Sequence, residues 1–299
     1  MLNSLLLLGY ALAAPAPRPD LLVTARWLAE HLNDPKVVIL HVAHERKEYD
    51  QGHVPGARFI SAMVLFDDRE PGVEIPTAER LDSIFESLGI SDDSRVILYG
   101  DTWMMPRAFL DLDYVGHGDR TALLDGGLRA WTASGKPLST EAPTVKRGSF
   151  TPHIRTDLVV DAAWIRSHAN DPDILLLDGR SRPEYDGPAS REQIPRHGHI
   201  PGAVFFPWNA TYTDSAAALK GNSSPFIDAA KLQGLFAAAG AGGGKQIVTY
   251  CTVGLRASHL YFIARLMGYS PKIYDGSMAD YAARAELPLV TAPAPPAKK

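Results

Sequence analysis

The sequence contains itself twice. Val23-Thr24-Ala25-Arg26-Trp27 returns 137 residues later as Val160-Asp161-Ala162-Ala163-Trp164, and His31, Asn33, Asp34 and Pro35 fall on His168, Asn170, Asp171 and Pro172 at the same offset. Further along, Glu48-Tyr49-Asp50 matches Glu184-Tyr185-Asp186, and Gly52-His53-Val54-Pro55-Gly56-Ala57 matches Gly198-His199-Ile200-Pro201-Gly202-Ala203. Asp125-Gly126 then matches Asp275-Gly276. Matches this numerous, all in one order, identify a tandem duplication. Whatever one copy folds into, the chain holds twice, and 299 residues leave each copy long enough for its own core.

Each copy enters a short apolar run just after the first block, at residues 37–40 and 174–177. The runs are continuously apolar rather than alternating, and they are separated by helical stretches. That pattern predicts an α/β fold, with a parallel sheet covered by helices on both faces in each copy. The first domain is assigned to residues 20–136 and the second to 157–290. Between them, residues 137–156 carry Pro137, Pro143, Gly148 and Pro152 with little periodicity and read as a linker. Residues 291–299, rich in Pro and Ala, read as a disordered tail.

Residues 1–19 read as a leader, with an apolar run ending in Ala11-Leu12-Ala13-Ala14-Pro15, where small residues admit a signal peptidase. A periplasmic or secreted location is therefore expected, with a cytoplasmic one as the alternative. The run is too short for a comfortable membrane span. A net charge of −4 with no run of Lys and Arg gives nucleic acid no electrostatic footing. The glycine run at residues 240–245 precedes a strand rather than following one, and Gln246 stands where a phosphate loop needs Ser or Thr, so it is a plain loop. No metal-ligand or dinucleotide motif is present, and no cofactor is implied.

The chain has one cysteine, Cys251, which excludes internal disulfides and CxxC sites. Its setting separates an inert buried thiol from a nucleophile. Residues 246–250 predict a strand, Cys251-Thr252-Val253-Gly254-Leu255-Arg256 a tight loop, and residues 257–267 a helix closed by Gly268. Ligands of open α/β sheets bind at such a carboxyl edge. Inward-pointing loop amides and the helix N-terminus both favour an anion there, hence the nucleophilic thiolate. Gly254 supplies the positive φ such a cradle needs, and Arg256, placed as the last loop residue, braces the loop or attracts an anionic donor.

The loop, the two His-x-Pro-Gly-Ala segments and Asp275-Gly276 resemble the two-domain rhodanese family, the thiosulfate and 3-mercaptopyruvate sulfurtransferases, over about residues 21–289. The resemblance implies that Cys251 takes a sulfane sulfur from a small-molecule donor, holds it as a persulfide and passes it to cyanide or a thiol. It also implies that Thr252, Val253, Gly254 and Leu255 form the persulfide cradle. Only these four residues separate Cys251 from Arg256, one fewer than in related phosphatases and arsenate reductases, whose wider loops fit a tetrahedral oxyanion. Phosphatase chemistry ranks second among enzymes. A sulfur carrier whose partner supplies the chemistry is the non-enzymatic alternative.

Arg182, Arg191 and Arg196 lie on the loop before His199, where the resemblance implies that the donor's anionic group is held. Arg180, in an Asp178-Gly179-Arg180 segment that resembles the family's, is expected to reach the active-site rim, and Arg180, Arg191 and Arg196 are the candidate substrate-binding residues. The resemblance implies thiosulfate rather than 3-mercaptopyruvate as the preferred donor, since mercaptopyruvate enzymes of the family typically carry an Arg where Glu184 precedes Tyr185, and a carboxylate there repels the donor's carboxylate. In the first copy, Tyr99 aligns with Tyr250, so Gly100, or Asp101 with a one-residue slip, faces Cys251; neither can hold sulfur. Asp178 and the duplicated His53 and His199 are expected to be structural. Trp27 and Trp164 are expected to anchor the cores, and Trp103, Met104 and Met105 either face the second domain or pack in the core.

Overall fold

The computed structural model describes residues 14–67, 74–168, 171–192, 194–242 and 244–291. Most of the expected leader and residues 292–299 of the expected tail lie outside the described residues, as does Gly243 of the glycine run.

The first copy runs β1 (Leu22–Val23), α1 (Ala25–Glu30), β2 (Val37–Ala43), α2 (Arg46–Gln51), β3 (Arg58–Ser61), α3 (Ala78–Ser87), β4 (Arg95–Gly100), α4 (Met105–Tyr114), β5 (Thr121–Leu124) and α5 (Gly127–Ala133). The second runs β6 (Val159–Val160), α6 (Ala162–His168), β7 (Ile174–Asp178), α7 (Arg182–Asp186), β8 (Val204–Phe205), α8 (Ser215–Leu219), α9 (Ala229–Ala238), β9 (Gln246–Tyr250), α10 (Leu255–Leu266), β10 (Lys272–Tyr274) and α11 (Ser277–Ala283). Both sheets are parallel throughout, and their orders are the same: β1-β5-β4-β2-β3 and β6-β10-β9-β7-β8. The α/β expectation holds in both copies.

The period-two geometry of a strand sends neighbouring side chains to opposite faces, and here the faces serve different cores. Ile39, Ile97 and Tyr99 join Tyr49 and Trp131 in an outer core of the first domain. Leu176, Val248 and Tyr250 do the same with Tyr274, Met278 and Tyr281 in the second. On the other faces, Val38, Leu40, Val96 and Leu98 share one continuous core with Leu175, Leu177 and Ile247. The two copies therefore have separate outer cores and a common inner one.

Through that inner core run α4 and α10, the equivalent helices that follow β4 and β9. Residues Met105 to Asp113 and Arg256 to Leu266 are all buried. A helix enclosed on every side shows no single apolar stripe. Phe109 meets Phe262 edge to face at 4.8 Å. Trp103 reaches across to Trp208 at 5.1 Å, while Met104 and Met105 are buried in the shared core. On this seam Asp113 accepts from Tyr261 Oη at 2.8 Å and lies 2.8 Å from Arg155 and 2.9 Å from Arg265.

The copies also brace each other reciprocally. Asp125, beyond β5, accepts the Phe226 N–H from the second domain at 2.9 Å. Its repeat partner Asp275, beyond β10, accepts the Ile75 N–H from the first at 2.8 Å. Thr102 donates to the Gly221 carbonyl at 2.8 Å, and Ser223 donates to that of Gly100 at 3.2 Å.

Three sequence expectations change. Arg18 donates its amide to the Leu266 carbonyl at 2.6 Å, and the Ala16 carbonyl lies against Gly268, so residues 16–18 belong to the folded body rather than to a detached leader. Trp27 and Trp164 are half-buried, stacked on His31 and His168 at 4.0 Å, and the fully buried Trp131 anchors the first outer core instead. Each domain does not close a fully independent core, because α4 and α10 fill one space together. His53 and His199 are structural: they stack on Tyr49 and Tyr185 at 3.7 and 3.8 Å, each with Nδ1 2.8 Å from that tyrosine's carbonyl.

Candidate active site

Cys251 follows β9 directly and is 1% exposed. Gly254 adopts φ +89°, the left-handed turn the sequence requires, and α10 begins at Leu255. Arg256 is therefore the second residue of the helix, not the last of the loop. Gly268, at φ +83°, follows the helix end as expected.

The loop is fastened from one side. Ser277 Oγ accepts the Cys251 N–H at 3.1 Å and donates to the Tyr274 carbonyl at 2.9 Å. The carbonyls of Cys251 and Thr252 accept from the amides of Met278 and Ala279 at 3.1 and 2.9 Å. Ser277 holds φ +51°, the only positive φ of a non-glycine among the described residues, and Gly127 holds +55° at the matching place in the first copy. Such strain persists where surrounding structure over-determines it; here the hydroxyl gained by replacing glycine grips the cysteine backbone.

With those bonds made, the amides of Thr252, Val253, Gly254, Leu255, Arg256 and Ala257 donate to no protein acceptor among the described residues. They sit at the N-terminus of a 12-residue helix, where orphan N–H groups and the helix dipole favour negative charge. The loop side chains that reach the surface are Val253 and Leu255, both apolar; Thr252 is buried.

Arg256 does not point at this cradle as a free cation. Its Nη1 and Nη2 donate to Glu184 at 2.8 and 3.0 Å, and Nη2 also donates to Thr252 Oγ1, which in turn donates to Glu184 at 3.0 Å. Burial would push the Glu184 carboxyl up, but the Arg256 guanidinium and the Ser181 hydroxyl and amide hold it well below the usual carboxylate range. Glu184 is thus the site residue that ties α7 to the loop.

The three candidate substrate arginines separate. Arg180 is 3% exposed and bound to Asp178 through Nε and Nη2, with Nη2 also donating to the Gly198 carbonyl at 2.8 Å, so it does not reach the rim. Asp178 also accepts from Tyr250 Oη at 2.6 Å, which makes this a buried brace beneath the loop. Arg196 donates to the carbonyls of Tyr281, Ala282, Arg284 and Leu287, closing the end of α11 rather than facing a substrate. Arg191 remains: half its side chain is exposed, and its Nε lies 3.9 Å from Glu184. Arg182 pairs with Asp186 over the rings of Tyr185 and Phe205.

Sequence reasoning missed Arg107. It lies on α4 of the copy without a cysteine, is fully buried, and its Nη1 and Nη2 grip Asp275 at 2.6 and 3.1 Å. A side chain placed on Gly254 would meet Asp275 Oδ1 at 2.5 Å and Arg107 Nη1 at 3.4 Å, so this pair lies directly against the Cys251 loop. Beside it, Asp111 Oδ1 is 3.3 Å from Arg107 Nε, whose hydrogen goes instead to the Leu65 carbonyl. Both Asp111 oxygens lack a hydrogen-bond donor, and burial pushes this carboxyl up to about 8. The helix-borne His259 is a core histidine, bonded to Thr211 at 2.7 Å, and burial pulls it down to about 3.

The first copy shows what the same edge looks like without a cysteine. Tyr99 and Tyr250 each accept the amide that follows the repeated histidine, from Val54 at 3.0 Å and Ile200 at 3.3 Å, so Gly100 faces Cys251 with no slip. Asp101 Oδ1 then accepts from the amides of Trp103 and Met104 at 2.7 and 3.3 Å. A carboxylate fills the helix entrance that the second copy leaves open.

A family model described as the rhodanese-like domain matches residues 24–134 and again 161–284. A sulfur carrier protein of Thermus thermophilus, TtuD, is 35% identical, with 94% of this chain and 98% of that protein covered. A protein of Mycolicibacterium smegmatis named provisionally a thiosulfate sulfurtransferase is 32% identical, covering 91% and 98%. One of Pseudomonas aeruginosa named provisionally a 3-mercaptopyruvate sulfurtransferase is 31% identical, covering 90% and 98%. Among solved structures, an anaerobic ergothioneine biosynthesis enzyme from Chlorobium limicola superposes with a TM-score of 0.79 at 24% identity, covering 92% of this chain and 71% of that one. YnjE superposes at 0.80, also at 24%, covering 92% and 69%. Both likenesses are of fold.

Proposed function

Because the chain belongs to the rhodanese-like family and carries its domain twice, we propose that this sulfurtransferase moves a sulfane sulfur through a persulfide on Cys251, with thiosulfate as its preferred donor. The observation that carries this reading is the recessed Cys251 beside six amides at the start of α10 that have no acceptor among the described residues. The Cys251 thiolate attacks the outer sulfur of thiosulfate, the S–S bond of the donor breaks, and sulfite leaves with the electron pair. The persulfide's terminal sulfur, an anion, lies in the amide cradle. Cyanide or a thiolate then attacks that sulfur and the Cys251 thiolate departs.

Thiosulfate suits the site because its compact sulfonate end can be held by main-chain amides and Arg191. A planar carboxylate donor such as 3-mercaptopyruvate calls for a two-point guanidinium, and Arg256 and Arg180 have already given theirs to Glu184 and Asp178.

Incubation with thiosulfate should add one sulfur mass to the intact protein, and cyanide should remove it. Cys251→Ser should gain no mass and not turn over; turnover in that variant defeats the reading. A higher kcat/KM with 3-mercaptopyruvate would reverse the donor while leaving sulfur transfer in place. A carrier role is favoured by the likeness to TtuD. It is separated by steady-state cyanolysis, because a carrier gives one turnover and stops.

A further inference from the structure

We infer that Arg107, supplied by the domain without a cysteine, is a positioning residue for sulfur chemistry at Cys251, acting through Asp275 and Gly254; the inference rests on the Cys251 reading above. Three of the five guanidinium N–H groups are used, one by the Leu65 carbonyl and two by Asp275. The grip on Asp275 is two-pronged and fully buried, which fixes both position and plane. Asp275 in turn stands where Gly254 must lack a side chain, and its own strand leads into Ser277, whose hydroxyl holds the Cys251 amide. The first domain thus reaches the cysteine loop along two routes, through Gly254 and through the β10–α11 turn.

Arg107 also adds charge. Burial would push its guanidinium down, but the paired Asp275 carboxylate holds its proton more tightly than usual. The charged groups packed around the loop are Arg107 and Asp275 on the domain seam and Arg256 and Glu184 on the other side, with Asp111, whose carboxyl burial pushes up to about 8, standing beside Arg107. Arg256 is matched by Glu184, and Arg107 by Asp275. Removing either member of the seam pair therefore changes the net charge beside Cys251 by one unit, in opposite directions.

That opposition supplies the test. Alkylation of Cys251 by iodoacetamide, followed against pH, reads thiolate formation without needing sulfur transfer. In Arg107→Met the midpoint of this profile should rise by about one pH unit, and kcat should fall at least about tenfold. Arg107→Lys keeps the charge but not the two-point grip, so its midpoint should return towards the parent's while kcat stays reduced. In Asp275→Asn the midpoint should fall. If Arg107→Met does not fold, Asp275→Asn decides alone, and a midpoint that is unchanged or raised overturns the inference. Equal shifts in both variants, or none in either, overturn it as well. These alkylation results stand whether or not thiosulfate proves to be the donor, so failure of the functional reading is told apart from failure of this one.

Discussion

Arg256 and Glu184 meet through two hydrogen bonds, Nη1 to Oε2 at 2.8 Å and Nη2 to Oε1 at 3.0 Å, so the guanidinium that follows the Cys251 loop is matched before any donor arrives. The cradle therefore relies on amides, the helix terminus and Arg191 for its attraction to anions. Its affinity for a dianion should be modest and sensitive to salt.

Glu184→Gln removes the matching carboxylate and leaves Arg256 positive. The KM for thiosulfate should fall by about three- to tenfold at low ionic strength, and the gain should fade as salt screens it. Steady-state assays across a salt series check this. A KM that rises would show that Glu184 matters for loop shape more than for charge.

Gly254→Ala places a methyl group 2.5 Å from Asp275 Oδ1 on a backbone at φ +89°. It should cost about 1–3 kcal/mol of stability and slow sulfur loading markedly. Gly56 has φ +79° with nothing within 4 Å, so Gly56→Ala carries the backbone strain alone. That control should lower the melting temperature less and load sulfur at the parent's rate.

Asp111 carries the pH dependence of the seam. Its carboxyl is pushed up to about 8 in the folded chain by burial, against an ordinary value near 4 in the unfolded one. The folded state therefore holds a proton the unfolded state has lost, and stability from this group declines as pH rises from about 4 through about 8. Asp111→Asn should flatten that decline. Denaturant midpoints at pH 6 and 9 should differ less in the variant than in the parent, and an equal difference would mean that Asp111 does not titrate there.

The duplication, the parallel sheets and the strand–loop–helix around Cys251 were legible because each is written in contiguous residues. Strand β9 occupies the expected residues, and Gly254 takes the positive φ its place in the loop demanded. Arg107 was not legible, since it reaches the loop only by the docking of one copy on the other. The available hint was an Arg and two Asp, at 107, 111 and 113, inside an apolar stretch, which marks a buried helix with paired charges. Arg196 misled for the opposite reason: an Arg on a loop before a motif looks free until four carbonyls from a distant helix end surround it. In the sequence Glu184 marks the lack of an Arg before Tyr185; its partner Arg256 lies 72 residues away, and only the fold makes them a pair.

The reciprocal bracing of Asp125 by Phe226 and Asp275 by Ile75 has a consequence during synthesis. The first copy is complete by about residue 134, yet the segment that covers its sheet edge arrives only with residues 221–226. At about 5–20 residues per second on the ribosome, that edge waits roughly 5–20 s for its cover, and the inner face of α4 waits longer still, until α10. A nascent chain of this kind is most exposed to holdase chaperones and to aggregation in that interval, and slow codons between the copies would lengthen it.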